Sequence, residues 1–229
     1  MNWNFLSIAV LALFAACMIQ GYRKGFLRIV ITLIGIVLII AAVFALQPYV
    51  SDFLIGKTGV YDGLKEKIET VFAEDNAKLD NTIPENQEMT IESYQLPQLL
   101  KNALKQNNTD EVYKQLMVSI FEDYIAGYLS RLILKAASFI GIFLVLSLIL
   151  WLALKSADLI TKIPIIKGIN RFLGVVAGFV NALVITWLFF LVTVMFLGNE
   201  TGGKLMEEIY KSPLLTLLFN ENLLMKYLT

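Results

Sequence analysis

Four long apolar runs set the pattern of this chain. Trp3–Ile19 has 17 residues and no charge, and Ile29–Leu46 has 18 and none. Leu132–Leu154 has 23, with Lys135 as its single charge, and Phe172–Leu197 has 26 with none. A membrane-spanning helix needs about 20 apolar residues. In hydrocarbon the backbone must satisfy its own hydrogen bonds, so each run predicts a helix. A very apolar soluble bundle is the alternative, but its helices would seldom be this long without one charged face. The expected fold is an all-α membrane protein with four transmembrane helices arranged as two hairpins. The expected division is a first hairpin over 1–46, an extracytoplasmic acidic helical segment over 47–131, a second hairpin over 132–197 and an extracytoplasmic amphipathic tail over 198–229.

The polar stretches supply orientation. Gln20–Arg28 carries Arg23, Lys24 and Arg28, and Lys155–Arg171 carries Lys155, Lys162, Lys167 and Arg171 against the single acid Asp158. The excess of basic residues in short loops faces the cytoplasm. This places both short loops inside, and both termini and the middle segment outside, in a multi-pass membrane protein. Arg131 and Lys135 fall on the opposite side from that rule. Lys135 lies near a helix end, from which its ammonium can reach the headgroups. Trp3, Tyr22, Tyr49 and Trp151 fall near run ends, where interfacial aromatics belong, whereas Trp187 is mid-run and reads as packing between helices.

The middle segment has fourteen acids against seven lysines and one arginine. Leu64, Ile68, Val71 and Phe72 follow helical spacing. Glu74–Gln95 reads as a polar linker, Pro97 as the opening of a short helix through Lys105, and Asn108 as a helix start. Tyr113, Leu116, Met117, Ile120, Phe121, Tyr124 and Tyr128 form a stripe on a helix expected to continue into the third span. Its main reading is packing or a membrane-surface face; a partner groove is the other. In the tail, Gly202–Gly203 is expected to break the chain from the fourth span. Leu205, Met206, Ile209 and Tyr210 form a short apolar face, and Ser212–Pro213 suits a further helix start. Tail and middle segment can pack together as a small outer domain.

Composition narrows the function. The chain has 229 residues, 57% apolar, against roughly 45–50% in soluble domains, and a mean hydropathy of +0.68. Nineteen basic residues balance nineteen acidic ones, which argues against a nucleic-acid partner. The absence of histidine removes the commonest general base and metal ligand. The single cysteine excludes an intramolecular disulfide and a cysteine-rich zinc site. No catalytic, cofactor-binding or metal-binding residue is expected, and the chain is not expected to be an enzyme. Cys17 follows Phe14-Ala15-Ala16, which loosely resembles a lipoprotein cleavage site. No basic residue precedes that run, so an uncleaved span is expected.

The remaining candidates concern helix packing. Gly174-x-x-x-Gly178 with Ala182 puts small residues on one face of the fourth helix. Ala137-x-x-x-Gly141 does so on the third, and Ala12-x-x-x-Ala16 on the first. Such faces let backbones approach closely inside the chain or in a homo-oligomer. Asn181 is the one strongly polar side chain deep in a span. It reads as a hydrogen bond to a neighbouring helix, or as part of a pathway in a small oligomeric channel or transporter. Ile163–Gly168 is apolar between basic flanks and is expected at the lipid interface. Beyond the lipid bilayer, an envelope or secretion protein on the outer side is the expected partner.

Two motifs carry a resemblance. Gly21-Tyr22-Arg23-Lys24-Gly25-Phe26-Leu27 at the first turn, and Asn170-Arg171-Phe172-Leu173-Gly174-x-x-x-Gly178 opening the fourth span, resemble the colicin V production protein family. The four-span layout is similar to that family too. Ile29 departs from its pattern, in which an acidic residue often follows the Arg-Gly-Phe turn. The outer segment is longer than the family's compact form. The resemblance implies a bacterial inner-membrane protein of bacteriocin production or export, or of envelope maintenance, with no catalytic residues.

Overall fold

A computed structural model describes residues 4–77, 79–156 and 167–229. Trp3, Lys78 and 157–166, which holds Asp158, Lys162 and Ile163–Ile166, lie outside the described residues. The described residues form eleven helices and no strand. The long ones are α1 (Phe5–Lys24), α2 (Phe26–Lys57), α7 (Phe121–Ser156) and α8 (Lys167–Met195). Each is long and apolar enough to cross a membrane. Their outward faces are apolar: Ile31, Val37, Leu144 and Leu148 are exposed, Leu38 at 66% and Phe172 at 70%. So large an apolar surface is untenable in water and ordinary in lipid. At 1.5 Å per residue the 36 residues of α7 reach about 54 Å. The hydrocarbon core is about 30 Å thick, so much of α7 stands outside it.

The closest pairs are not consecutive spans. Helix α1 lies along α8 and α2 along α7, while α1 and α2 share little contact. The expected two-hairpin arrangement is therefore not what the packing favours. The reason is local: α1 and α2 are joined through Gly25 alone, too short a link to lay one helix back along the other. Both close pairs are antiparallel. Phe14 meets Phe179 and Gly21 meets Gly174 in one, and Phe44 meets Phe139 and Gly35 meets Leu150 in the other. Gly25, Asn170 and Leu150 thus share one end of the bundle. The opposite end carries the start of α1 and every remaining helix.

Those helices form a cap. They are α3 (Val60–Asn76), α4 (Pro84–Ser93), α5 (Gln98–Gln106), α6 (Asp110–Leu116), α9 (Glu200–Lys211), α10 (Pro213–Asn220) and α11 (Leu223–Leu228). Ile68 and Phe72 of α3 are buried with Tyr94, Leu96, Leu100 and Leu104, and the cluster continues through Tyr124 and Leu129 into the spans. Tail and middle segment meet directly: Asn220 Oδ1 accepts from the Leu99 N–H at 3.0 Å, and Lys101 lies 5.1 Å from the ring centre of Tyr210. Lys101 is only 3% exposed, and its ammonium donates to the Glu92 carbonyl at 2.6 Å. Lys105 donates to the Glu92 carboxylate at 2.5 Å, the main reason that carboxyl is held below its ordinary range.

Several local expectations change. Residues 74–95 are not a linker: α3 runs to Asn76, and α4 opens with Pro84 in its first turn. Between them Asn81 is a buried hub. Its amide donates to the Asn76 carbonyl at 2.8 Å and to Glu122 at 2.9 Å, and its oxygen accepts from Thr90 at 2.8 Å. The cap of α6 is Thr109 rather than Asn108, because its side chain is the one that accepts from the Val112 N–H. Helix α6 does not run into the third span; it ends at Met117, which adopts the left-handed conformation with φ 55°. The aromatic stripe therefore splits. Leu116, Phe121 and Tyr124 are buried, while Met117 is 91% exposed. Tyr113 stacks on Tyr124 with ring centres 5.1 Å apart. Burial first, and the neighbouring Glu122 and Asp110 next, push the Tyr113 phenol up to about 12.

In the tail the break falls at Phe196–Asn199, and Asn199 caps α9 by accepting from the Gly202 N–H. Gly202 thus lies inside the first turn instead of marking the break. Ser212 caps α10 with Pro213 in the first turn, as its sequence suggests.

Candidate functional site: the crossing of the first and last spans

The two motifs noted in the sequence come together in space. Gly21, Cys17 and Gly25 on or beside α1 face Gly174, Gly178 and Asn170 on α8. A Cβ at Gly21 would overlap the Gly174 carbonyl oxygen, a Cβ at Gly174 would overlap that of Gly21, and one at Gly178 would overlap that of Cys17. The Cα–H bonds that replace those Cβ groups therefore point at carbonyl oxygens across the interface. Such contacts contribute about 0.5–1 kcal/mol each, and they need backbones brought together by small residues. Gly25 has φ +80°, and a Cβ there would overlap the Asn170 side-chain amide. Two independent constraints thus demand glycine at the turn.

The crossing has a basic rim. The Arg171 guanidinium lies 5.5 Å from the ring centre of Tyr22, a cation–π contact that joins the motifs a second time. Arg23 and Lys24 are exposed at the last turn of α1, and Phe26 is half-buried at the start of α2. Ala182 is fully buried one turn beyond Gly178, and Asn181 beside it is half-buried. The other expected faces lie elsewhere. Ala12 and Ala16 are exposed, so the packing face of α1 is not theirs. Ala137 is half-buried, and a Cβ at Gly141 would meet open space. Among the described residues the α7 stripe therefore packs against nothing at Gly141. The hydroxyls of Ser138, Thr186 and Thr193 donate to the carbonyls of Leu134, Ala182 and Phe189 on their own helices. The polarity of these three hydroxyls is thereby absorbed locally, whereas the buried Gln47 Nε2, Ser130 Oγ and Trp187 Nε1 have no partner among the described residues.

A second junction lies at the cap end. Pro48 sits inside α2 and lacks the N–H that the Phe44 carbonyl would otherwise accept from. The Tyr227 hydroxyl of α11 donates to that carbonyl at 3.2 Å, and its ring lies 4.2 Å from that of Phe44. Lys135 donates to the Leu228 carbonyl at 2.9 Å, and Tyr128 donates to the Thr229 carbonyl at 2.8 Å. The Lys135 ammonium is thus held by the tail rather than by headgroups. The other wrong-side cation, Arg131, donates to the Gln115 carbonyl at 2.6 Å. Asn222, fully buried, caps α11 and donates to the Trp187 carbonyl at 3.1 Å. Trp187 itself packs against the core. The start of α1 is docked too. The Asn4 amide donates to the Glu208 carbonyl at 2.6 Å. Ser7 gives its proton to Asn4, so the 2.7 Å contact between Ser7 and Ser212 is donated by Ser212.

Sequence reasoning missed the α1 partner face, although Cys17, Gly21 and Gly25 recur every fourth residue and carry the signal. It also missed Gln47, which is 3% exposed inside α2 rather than at the start of the outer segment. No local pattern announced Tyr227 as the partner of the Phe44 carbonyl that Pro48 leaves free.

Fold and site together define a four-span helical membrane protein built around a glycine crossing, with a helical cap at one end. Residues 111–220 match the family model described as colicin V production protein. Over that region the chain is similar to the colicin V production protein family. The second motif lies inside the matched region and the first lies before it. No curated protein and no solved structure matches the chain.

Proposed function

We propose that this chain is a bacterial inner-membrane protein of bacteriocin production or export, or of envelope maintenance, and that it acts through helix packing and partner binding. The observation that supports this best is the meeting of the two family-type motifs at the α1–α8 crossing. Two motifs far apart in sequence, at residues 21–27 and 170–178, become one close-packed joint, suited to holding a cap in a set orientation above the bilayer. The cap is acidic, and its turn between α6 and α7 carries the exposed Met117 and Ile120, where an envelope or secretion protein would dock. The role is assembly rather than catalysis, in keeping with a chain that has no histidine. The basic rim of Arg23, Lys24 and Arg171 faces the cytoplasm in this reading, and the cap and both ends of the chain face outward.

Two measurements test it. With Cys17 replaced by serine, an impermeant maleimide applied to intact cells should label Lys204→Cys and not Lys24→Cys; the reverse labelling overturns the orientation. In producing cells, Gly174→Leu should reduce bacteriocin release or weaken the envelope while the chain stays membrane-bound. Unchanged release and unchanged envelope integrity after deletion of the whole chain would remove the role.

A further inference from the structure

At the loop end of α1 a groove of about 760 Å³ opens on the helix face turned away from α8. Its described lining is Ala16, Ile19, Gln20, Arg23 and Lys24. The arrangement runs from apolar to cationic along one helix face: positions 16 and 19 form the floor, position 20 offers an amide, and positions 23 and 24 supply two charges. All five side chains are exposed. The opposite face, through Cys17, Gly21 and Gly25, is taken up by the glycine crossing. The groove lies where the apolar span Phe5–Lys24 ends, and a helix end of that kind meets the headgroup region when the chain is embedded. No acid lies within α1, and none lies in the turn that follows. A cationic rim above an apolar floor complements one class of molecule, a phospholipid with a net negative headgroup.

We propose that this groove binds one anionic phospholipid, with its phosphate between Arg23 and Lys24 and the upper part of an acyl chain over Ala16 and Ile19. Gln20 donates to the glycerol ester region. The inference rests only on the chain being embedded in a membrane. It stands whichever leaflet the loop end faces and whatever the cellular role.

The test uses the full chain in neutral detergent micelles. Energy transfer from its tryptophans to dansyl-labelled phosphatidylglycerol reports binding, in competition with unlabelled lipids. Unlabelled phosphatidylglycerol should compete at least about tenfold better than phosphatidylcholine. Arg23→Gln with Lys24→Gln should weaken binding on the order of thirtyfold, a factor of about five for each basic side chain at an anionic surface. Lys204→Gln with Lys211→Gln, which removes equal charge from the cap, should leave binding intact. Ala16→Phe fills the floor without changing charge and should weaken binding with the fold unperturbed, as judged by melting temperature. Equal competition by the two lipids, displacement by inorganic phosphate alone, or equal losses in the two double variants would each overturn the proposal.

Discussion

The crossing of α1 and α8 and the cap above it are two solutions to one problem, written into a single chain. At the crossing the side chains have been stripped away, and Gly21, Gly174 and Gly178 bring backbone against backbone. In the cap the side chains do the joining: Ile68, Phe72, Tyr94 and Leu100 fill a core, and Asn81 ties three segments through its amide. The difference follows from the solvent. Lipid tails are as apolar as leucine, so burying leucine between spans gains little, and close packing must supply the attraction. In water each buried apolar Å² contributes roughly 25 cal/mol, so large side chains are favoured. Where the regimes meet, polar groups exchange partners across the boundary. Tyr227 of the cap satisfies the carbonyl freed by Pro48, and Lys135 of a span is held by the main chain of α11.

This contrast can be broken or sharpened by mutation, taken here from the largest effect to the smallest. Gly174→Leu should destabilise the detergent-solubilised chain by more than about 3 kcal/mol, because the new side chain must displace the Gly21 backbone. Thermal unfolding measures this, and a loss under 1 kcal/mol would mean that the crossing is not tight. Asn81→Leu should cost about 2–3 kcal/mol by leaving the Thr90 hydroxyl and Asn76 carbonyl short of partners. Hydrogen exchange should rise in α4 and the end of α3 but not in α1 or α8. Lys135→Met should cost about 1 kcal/mol, since the lost charged hydrogen bond is offset by relief of a half-buried cation. Faster exchange confined to α11 is the expected signature.

Gly141→Ala should go the other way. With open space at that Cβ, the substitution should stabilise by about 0.5 kcal/mol through helix propensity. A loss instead would indicate a second copy packed on that face. The smallest effect is a pH dependence in the cap. The folded Glu92 carboxyl lies below its ordinary value of 4.5. Its contribution is therefore present above that value and is lost as pH falls through the folded one. Glu92→Gln should flatten the acid limb of the cap's melting curve. Tyr113 acts at the other extreme: its contribution is complete below pH 10 and fades as pH rises toward 12. An unchanged acid limb in the Glu92 variant would show that the Lys105 contact does not persist in solution.

Much of the fold was legible because it depends on local pattern. Apolar runs of 17 to 26 residues can only be helices in lipid, and Pro97, Ser212 and Pro213 mark helix starts by chemistry confined to a few neighbouring atoms. Errors clustered where a neighbour distant in sequence decides. The polar stretch around Asn81 resembles a linker until Glu122, forty-one positions later, supplies its partner. Met117 stops α6 in a conformation its sequence does not favour, and the stripe that resembled one helical face is divided by that turn. The Gly202–Gly203 pair suggested a break, yet Gly202 is needed where the first turn of α9 presses on the Phe196 carbonyl.

By itself, the order of residues determined that this protein has four apolar helices of membrane length, a basic loop end, an acidic segment and two short glycine motifs. Hydropathy and charge act through transfer energies that depend on each segment alone. Only the tertiary structure decided that α1 pairs with α8, that the two motifs are halves of one joint, and that the tail closes over α2 and α7. Those outcomes depend on which backbones can approach within contact distance. That is a property of two surfaces together, and no single stretch of chain contains it.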